Sequence, residues 1–252
     1  MSGNNIFPIL LCLIPSLVFV ACETGRQPEI VVGVDGCESC GMVIDEASQA
    51  CVYSVDREIY TFCSPGCLLQ EHEKRRREGQ PPPEEVRFAD YGTGELFLAE
   101  EVTFLLTEHI PTVMGWGVVG FGSGEQATAH RQHADEVLVD WTGLRRLRGA
   151  IDRTIELTVT TEGLVPEVVE LTKNELVEWV FRGQDLTEDL ELAVRGYEEL
   201  GQIGVGAAGE PVRVRMLAVK PGAGFPIIRT HDGAVLGQVR VVGSHTADEE
   251  ER

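Results

Sequence analysis

Four of the seven cysteines stand in two close pairs, and this spacing restricts the possible folds more than any other feature of the chain. Cys37 and Cys40 form a Cys-x-x-Cys motif, and Cys63 and Cys67 follow it after 22 residues. A Ser-Pro dipeptide inside the second pair predicts the start of a helix, with Ser as N-cap and Pro as the first helical residue. Four thiols in this arrangement suit a tetrahedral metal site, and a helix N-terminus favours the thiolate form.

The residues alone leave three roles open for these cysteines: metal trafficking, a structural site with zinc or two disulfides, and thiol–disulfide catalysis. Gly41-Met42 favours trafficking, because a thioether suits Cu(I) and is rare at zinc sites. A second methionine, Met114, lies in a glycine-containing loop, and the chain has only four methionines. Gly41 also excludes c-type haem attachment, which requires His after the second cysteine of the motif.

The N-terminal sequence predicts an export signal. Residues 6–20 are uncharged and apolar, which is shorter than the roughly 20 residues of a membrane span and fits a secretory signal. The run ends in Ala21-Cys22, which resembles a bacterial lipoprotein processing site. We therefore expect a signal peptide over 1–21, a lipidated Cys22 with a spacer over 22–29, and a chain anchored to a membrane on its periplasmic, extracytoplasmic side. An uncleaved membrane anchor is the alternative.

Residues 30–148 predict an internal duplication of a small ββαβ unit, with one copy over 30–90 and the other over 91–148. The strands of the first copy are predicted from alternation at 50–55, 59–62 and 86–89, with a helix over 65–77. The second copy has predicted strands at 95–99, 102–106, 118–121 and 136–139, a helix from a capping box at Ser123 to about His133, and a closing helix over 142–147. Cys51 alternates with Tyr53 in a predicted strand, so we expect it to be buried and inert.

The segment 153–243 predicts an all-β sandwich, because six apolar strands are separated by turn residues. These predicted strands are 155–159, 167–171, 176–182, 190–194, 212–219 and 235–242. The stretches 162–166, 176–182, 219–222 and 237–241 resemble a cupredoxin-like domain, but no Cys follows Cys67 and no His lies between His133 and His231, so a blue-copper centre is excluded. We interpret it as a docking or spacer module, and we expect a disordered acidic tail over 244–252. The predicted fold class of the whole chain is α+β.

The segments 37–44, 60–62 and 111–117, with Phe121 and Ala127, resemble the NosL family of lipoproteins, accessory factors in the maturation of nitrous oxide reductase. The resemblance covers about 29–147. It implies a tandem ββαβ fold and Cu(I) binding outside the cytoplasm. It also implies delivery of copper to nitrous oxide reductase or its membrane assembly machinery. Carried over by motif, Cys40, Met42 and Met114 are the implied Cu(I) ligands.

Cys63 and Cys67 go beyond the minimal family pattern, and their spacing resembles the metal-trafficking cysteine motif called TRASH. Two arrangements stay open at this point. Either Cys37, Cys63 and Cys67 share the copper with Cys40, or they hold a separate zinc ion or a disulfide.

The predicted role is ligand exchange, so we expect no enzymatic activity. An under-coordinated Cu(I) can pass to a site with more donors, whereas a closed four-thiolate site holds its metal too firmly for easy release. The formal net charge of −20 argues against a nucleic-acid partner, since phosphate is bound by positive surfaces. Two alternatives from other classes are an exported lipoprotein whose four-cysteine zinc site supports an interaction module, and an exported thiol–disulfide oxidoreductase.

Overall fold

The computed structural model describes residues 28–243. The predicted signal peptide, the lipidation site Cys22 and the acidic tail lie outside the described residues. Within residues 28–243, no helix combines the length and the apolar character that a membrane crossing needs.

The first ββαβ unit forms a four-stranded antiparallel sheet against one helix. Its elements are β1 (Cys51–Val55), β2 (Glu58–Phe62), α1 (Pro65–Arg77), β3 (Glu85–Ala89) and β4 (Leu96–Leu98). The strand order is β2-β1-β3-β4. Asp56 and Arg57 close the β1–β2 hairpin with positive φ angles of 50° and 68°, the backbone that a two-residue turn needs to match the twist of its strands. Helix α1 has the bounds that the sequence predicts.

The second unit repeats this topology. Its elements are β5 (Thr103–Leu106), β6 (Val118–Phe121), α2 (Gly124–His130), β7 (Val137–Val139) and α3 (Trp141–Arg148). The strand order β6-β5-β7 reproduces the order β2-β1-β3, and every pair in it is antiparallel. In both units the helix follows the second strand, so the tandem ββαβ prediction is confirmed.

Two details of the second unit differ from the prediction. Strand β4, which we placed in the second unit, pairs with β3 in the first sheet, because the Asp90 carboxylate accepts the backbone N–H groups of Gly92 and Thr93 and turns the chain back. Helix α2 ends at His130, since the backbone of Arg131 is already extended. The prediction that His130 and His133 share a helix is therefore wrong.

The C-terminal part is a sandwich of two mixed sheets. Its strands are β8 (Arg153–Val159), β9 (Leu164–Val165), β10 (Val168–Thr172), β11 (Leu176–Gly183), β12 (Leu190–Val194), β13 (Ile203–Val205), β14 (Val212–Leu217), β15 (Gly222–Arg229) and β16 (Val235–Val242). One sheet has the order β10-β16-β15-β12-β13 and the other β14-β11-β8-β9. Trp179, Phe181 and Tyr197 are buried in the apolar core. The predicted fold class, α+β with an all-β sandwich, is confirmed.

Strands β9, β13 and β15 were not predicted. Each contains or adjoins residues with low strand propensity, and β15 includes Gly222, Gly224 and Pro226. Strand β15 is nevertheless central in its sheet, because β12 and β16 hydrogen-bond to it on both sides, with register shifts that accommodate the irregular backbone.

A buried ion network joins the duplicated units to the sandwich. The Glu73 carboxylate of α1 is almost fully buried and accepts hydrogen bonds from Arg76 at 2.8 Å and from Arg145 of α3 at 3.2 Å. Arg76 also donates two hydrogen bonds, of 2.7 and 3.0 Å, to Asp152 at the start of the sandwich. Arg215 of β14 adds a 2.8 Å bond to the carbonyl of Leu147. These contacts attach the sandwich to α1 and α3.

Candidate metal centre

The first cysteine pair lies in a tight turn held by backbone hydrogen bonds. Gly36 and Val43 form a β-bridge, and the N–H of Cys37 donates to the carbonyl of Met42 at 2.7 Å. Gly41 then donates to the carbonyl of Cys37 at 2.8 Å with a φ angle of 74°. A side chain is strained in that left-handed backbone, which explains glycine at this position. The turn presents both thiols of the Cys-x-x-Cys motif to the same side.

The second cysteine pair begins helix α1 as the sequence predicts. The Ser64 hydroxyl accepts the N–H of Cys67 at 3.3 Å, and Pro65 is the first helical residue. Cys63 immediately precedes this cap, and Cys67 lies in the first turn of the helix. The helix start therefore fixes the position of both thiols relative to its positive end.

All four thiols converge into one group. The Sγ atoms of Cys37, Cys40, Cys63 and Cys67 all lie within 4.8 Å of one another. Sγ of Cys63 is 3.6 Å from that of Cys40 and 3.7 Å from that of Cys67. Four sulfurs at about 2.3 Å around a tetrahedral metal ion would be about 3.8 Å apart. The group is therefore sized for a metal ion, and Cys40 belongs to the same site as the other three.

Every cysteine within residues 28–243 is a free thiol. Cys37, Cys63 and Cys67 are buried, whereas Cys40 is partly exposed. Burial raises the pKa of Cys63 and of Cys67, and charge repulsion from Cys37 reinforces the rise at both. Burial also acts upward on the pKa of Cys37, but hydrogen bonds from the backbone at Cys63 and Cys40 outweigh it and lower this pKa. A metal ion that binds here must displace protons from buried thiols.

Cys51 stands apart from the centre, as predicted. Its side chain is fully buried, and its S–H donates to the carbonyl of Gln49 at 3.4 Å. Burial raises the pKa of this thiol well above its usual value, so it stays protonated and inert.

The two predicted methionine ligands lie at the surface. Met42 is 48% exposed and Met114 is 54% exposed, whereas Met216 in the sandwich core is 0% exposed. Met42 follows Cys40 by two residues in the same turn. Met114 has a φ angle of 60°, which is uncommon for a residue other than glycine and stores backbone strain. Neither thioether is used for core packing.

Hydrogen bonds hold the Met114 loop in place. The N–H of Val113 donates to the side-chain oxygen of Gln49 at 2.8 Å, and the N–H of Gly117 donates to the Thr112 hydroxyl at 2.8 Å. Gln49 is buried although it is polar. It therefore connects the Met114 loop to the first unit, a role that no pattern in the sequence indicates.

Trp116 brings the Met114 loop onto the helix that carries Cys67. Its indole packs so closely on Gly66 of α1 that a Cβ added there would lie 2.1 Å from the ring. Val113 and Trp116 pack against the apolar cluster that contains Cys37, Cys63 and Cys67. The strained methionine loop therefore lies beside the thiol group.

This contact predicts a large effect for a small substitution. We expect Gly66→Ala to displace Trp116 and the attached Met114, although alanine itself favours a helix by about 1 kcal/mol. The Cu(I) affinity should fall by about tenfold or more, as for other residues that orient a metal ligand, while the affinity for Zn(II) is retained. Tryptophan fluorescence and anaerobic chelator competition measure the two effects. The control is Gly204→Ala in β13 of the sandwich, an exposed position where a Cβ meets no atom within 4 Å and the backbone is not left-handed. An unchanged Cu(I) affinity in Gly66→Ala would contradict this link.

Comparison with known proteins gives only distant likenesses. No protein-family model and no curated protein match the chain. Among solved structures, the copper chaperone NosL from Shewanella denitrificans aligns at TM-score 0.40 and 19% identity, over 46% of this chain and 92% of its own. The metal-binding domain of the Cu(I)-exporting P-type ATPase CopA from Streptococcus pneumoniae D39 aligns at TM-score 0.29 and 20% identity, over 36% and 85%. Auracyanin from Roseiflexus castenholzii aligns at TM-score 0.29 and 12% identity, over 37% and 100%. Such likenesses assign no function, which must come from the residues of this chain.

Proposed function

We propose that this chain is a membrane-anchored, extracytoplasmic Cu(I) metallochaperone, with lipidated Cys22 as its anchor, and that it delivers copper for maturation of nitrous oxide reductase. The observation that carries the proposal is the pairing of a convergent thiol group with two half-exposed thioethers in adjacent loops. The sequence resemblance over 29–147 supports the choice of recipient, which is the reductase or its membrane assembly machinery.

The exposure of the ligands supports delivery over storage. Cys40 is the most accessible thiol of the group, and Met42 follows it in the same turn. A Cu(I) ion held by Cys40, Met42 and Met114 keeps an open side toward solvent. A recipient with more soft donors can then replace these ligands one at a time. Cys37, Cys63 and Cys67 lie deeper and position Cys40.

A structural zinc site is the second candidate, and the sulfur spacing favours it. Distances of 3.6 and 3.7 Å between thiols are close to those around a tetrahedral zinc ion. In that case the duplicated units are an interaction module and the two thioethers have no role in metal binding. Thiol–disulfide catalysis has less support, because the thiol with the lowered pKa, Cys37, is buried. We therefore propose a binding protein, not an enzyme.

Substitution of both methionines separates the two candidates. We expect Met42→Ala/Met114→Ala to weaken Cu(I) binding by about 100-fold, since two soft ligands are lost, and to leave Zn(II) binding unchanged. The reduced protein is titrated anaerobically with Cu(I) against a colorimetric chelator, with Zn(II) titrated in parallel. Met216→Leu is the control, because that thioether lies in the sandwich core and leucine keeps its volume. Tight Zn(II) binding with no preference for Cu(I), unaffected by the double substitution, would establish the structural site instead.

A further inference from the structure

A second group of metal-ligand side chains lies in the second unit, apart from the cysteines. His109 belongs to the loop between β5 and β6, and His133 and Asp135 belong to the loop between α2 and β7. Their ligand atoms all lie within 4.8 Å of one another, and all three side chains are exposed. Nε2 of His109 is 3.1 and 3.3 Å from the two carboxylate oxygens of Asp135. The imidazoles of His109 and His133 stack with their centroids 3.7 Å apart.

The buried carboxylate of Glu136 holds the two loops next to each other. Glu136 is almost fully buried, and one of its oxygens accepts the N–H groups of Gln132 at 2.6 Å and His133 at 2.8 Å. Its other oxygen accepts the hydroxyl of Thr107 at 2.6 Å, and that hydroxyl accepts the N–H of His109 at 3.0 Å. Both histidine backbones are thus tied to Glu136. The two imidazoles meet because of this buried network and not by chance contact of mobile loops.

We propose that His109, His133 and Asp135 form a second metal site, specific for a divalent ion such as Zn(II). Two imidazoles and a carboxylate suit divalent ions of borderline softness, whereas the thiol and thioether centre suits Cu(I). Donor atoms at about 2.1 Å from a tetrahedral ion are about 3.4 Å apart. The exposed side chains reach that spacing by rotation, and water completes the coordination. Glu136, whose oxygens are already occupied, is a positioning residue.

The two sites are chemically distinct but share one loop. The segment between β5 and β6 has His109 near its start and Met114 near its end, and its base is closed by the N–H of Thr107 donating to the carbonyl of Gly117 at 2.9 Å. The chain can therefore bind a divalent ion without occupying the soft ligands.

Histidine ring NMR of the full chain tests this site independently of the cysteines. Zn(II) is added beyond one equivalent, and the ring nitrogen signals of each histidine are followed. We expect the signals of His109 and His133 to shift together, and His109→Gln or His133→Gln to weaken this binding by about tenfold or more. His231→Gln, a substitution at an exposed turn of the sandwich, should change it by less than about twofold.

Two results would overturn the site. One is that Zn(II) in excess leaves the rings of His109 and His133 unshifted. The other is that His231 responds at the same zinc concentration, which would reveal general binding to surface imidazoles. Because these side chains are exposed, the variants should fold, and the amide spectrum of each one verifies this. The result does not depend on whether the cysteine centre carries copper or zinc.

Discussion

Cys63→Ser will lower the affinity of the protein for Zn(II) by more than about 100-fold, because removal of a direct ligand of the four-thiol group costs more than the 10- to 100-fold typical of an outer-shell partner. The affinity for Cu(I) should fall by about 10- to 100-fold, because Cys63 positions Cys40. Sγ of Cys63 lies within 3.7 Å of the sulfurs of both Cys40 and Cys67, so this residue is central to the group. Serine keeps the size of the side chain but offers a hard, protonated hydroxyl in place of a thiolate.

Cys51→Ser is the matched control. Cys51 is buried to the same degree and lies in the neighbouring strand, but it is outside the group of converging thiols. Chelator competition under anaerobic, reducing conditions gives both affinities, and far-UV circular dichroism verifies that each variant is folded. If Cys63→Ser kept an affinity within tenfold of wild type, or if Cys51→Ser lost as much, the four thiols would not act as one metal centre.

Glu73→Gln will destabilise the protein by about 3–5 kcal/mol, the usual cost of breaking a buried ion pair and leaving its partner charge uncompensated. Arg145 is the partner that stays buried, and Arg76 keeps only its bonds to Asp152. The loss should appear in the free energy of unfolding measured with urea at neutral pH. Glu71→Gln, which removes a carboxylate paired with exposed Lys74 on the same helix, should cost at most about 1 kcal/mol.

The loss of stability in Glu73→Gln should also depend on pH, in a direction that the pKa of Glu73 determines. Burial acts to raise the pKa of Glu73, but His72, Arg145 and Arg76 outweigh it and lower the pKa from 4.5 to about 2. A carboxylate with a lowered pKa in the folded state contributes its full stability above its unfolded value and loses it as the pH falls toward the folded value. The difference in stability between wild type and Glu73→Gln should therefore shrink as the pH falls from 4.5 to 2. A difference that stayed constant over this range would contradict the role of the Glu73 charge.

Local signals in the sequence predicted the elements that carry the four cysteines well. Ser64 and Pro65 specify the start of α1 by a cap and a fixed backbone angle, and these act within one helical turn. This cap and the turn at Gly41 together determine how the four thiols are arranged in space. The alternating strands of the duplicated units are likewise recognisable, since period-two burial is a local pattern.

Contacts between distant segments could not be predicted in this way. The packing of Trp116 on Gly66 and the bond from Val113 to Gln49 join residues about 50 to 64 positions apart, and no periodicity links them. The Glu73–Arg145 ion pair likewise joins residues that are far apart in the sequence. These long-range contacts decide where the Met114 loop lies and how the sandwich is attached.

The histidine group was missed for a related reason. His130 and His133 are three residues apart, which predicts one helical face, but α2 ends at His130. His133 then enters a loop that Glu136 folds back onto Thr107, and it meets His109 from another loop. A helix end is set by the competition between helical hydrogen bonds and such side-chain contacts, and the spacing of the histidines does not reveal it.

X-ray absorption at the copper edge, with Cu(I) bound to selenomethionine-labelled protein, tests most directly whether Met42 and Met114 bind the copper. Met216 is buried in the sandwich, so within residues 28–243 the accessible seleniums are those of Met42 and Met114. We predict a copper–selenium scattering path beside copper–sulfur paths, and its loss in Met42→Leu/Met114→Leu. A copper environment of sulfur alone in the wild-type protein would contradict the proposed delivery site and leave a closed four-thiolate centre.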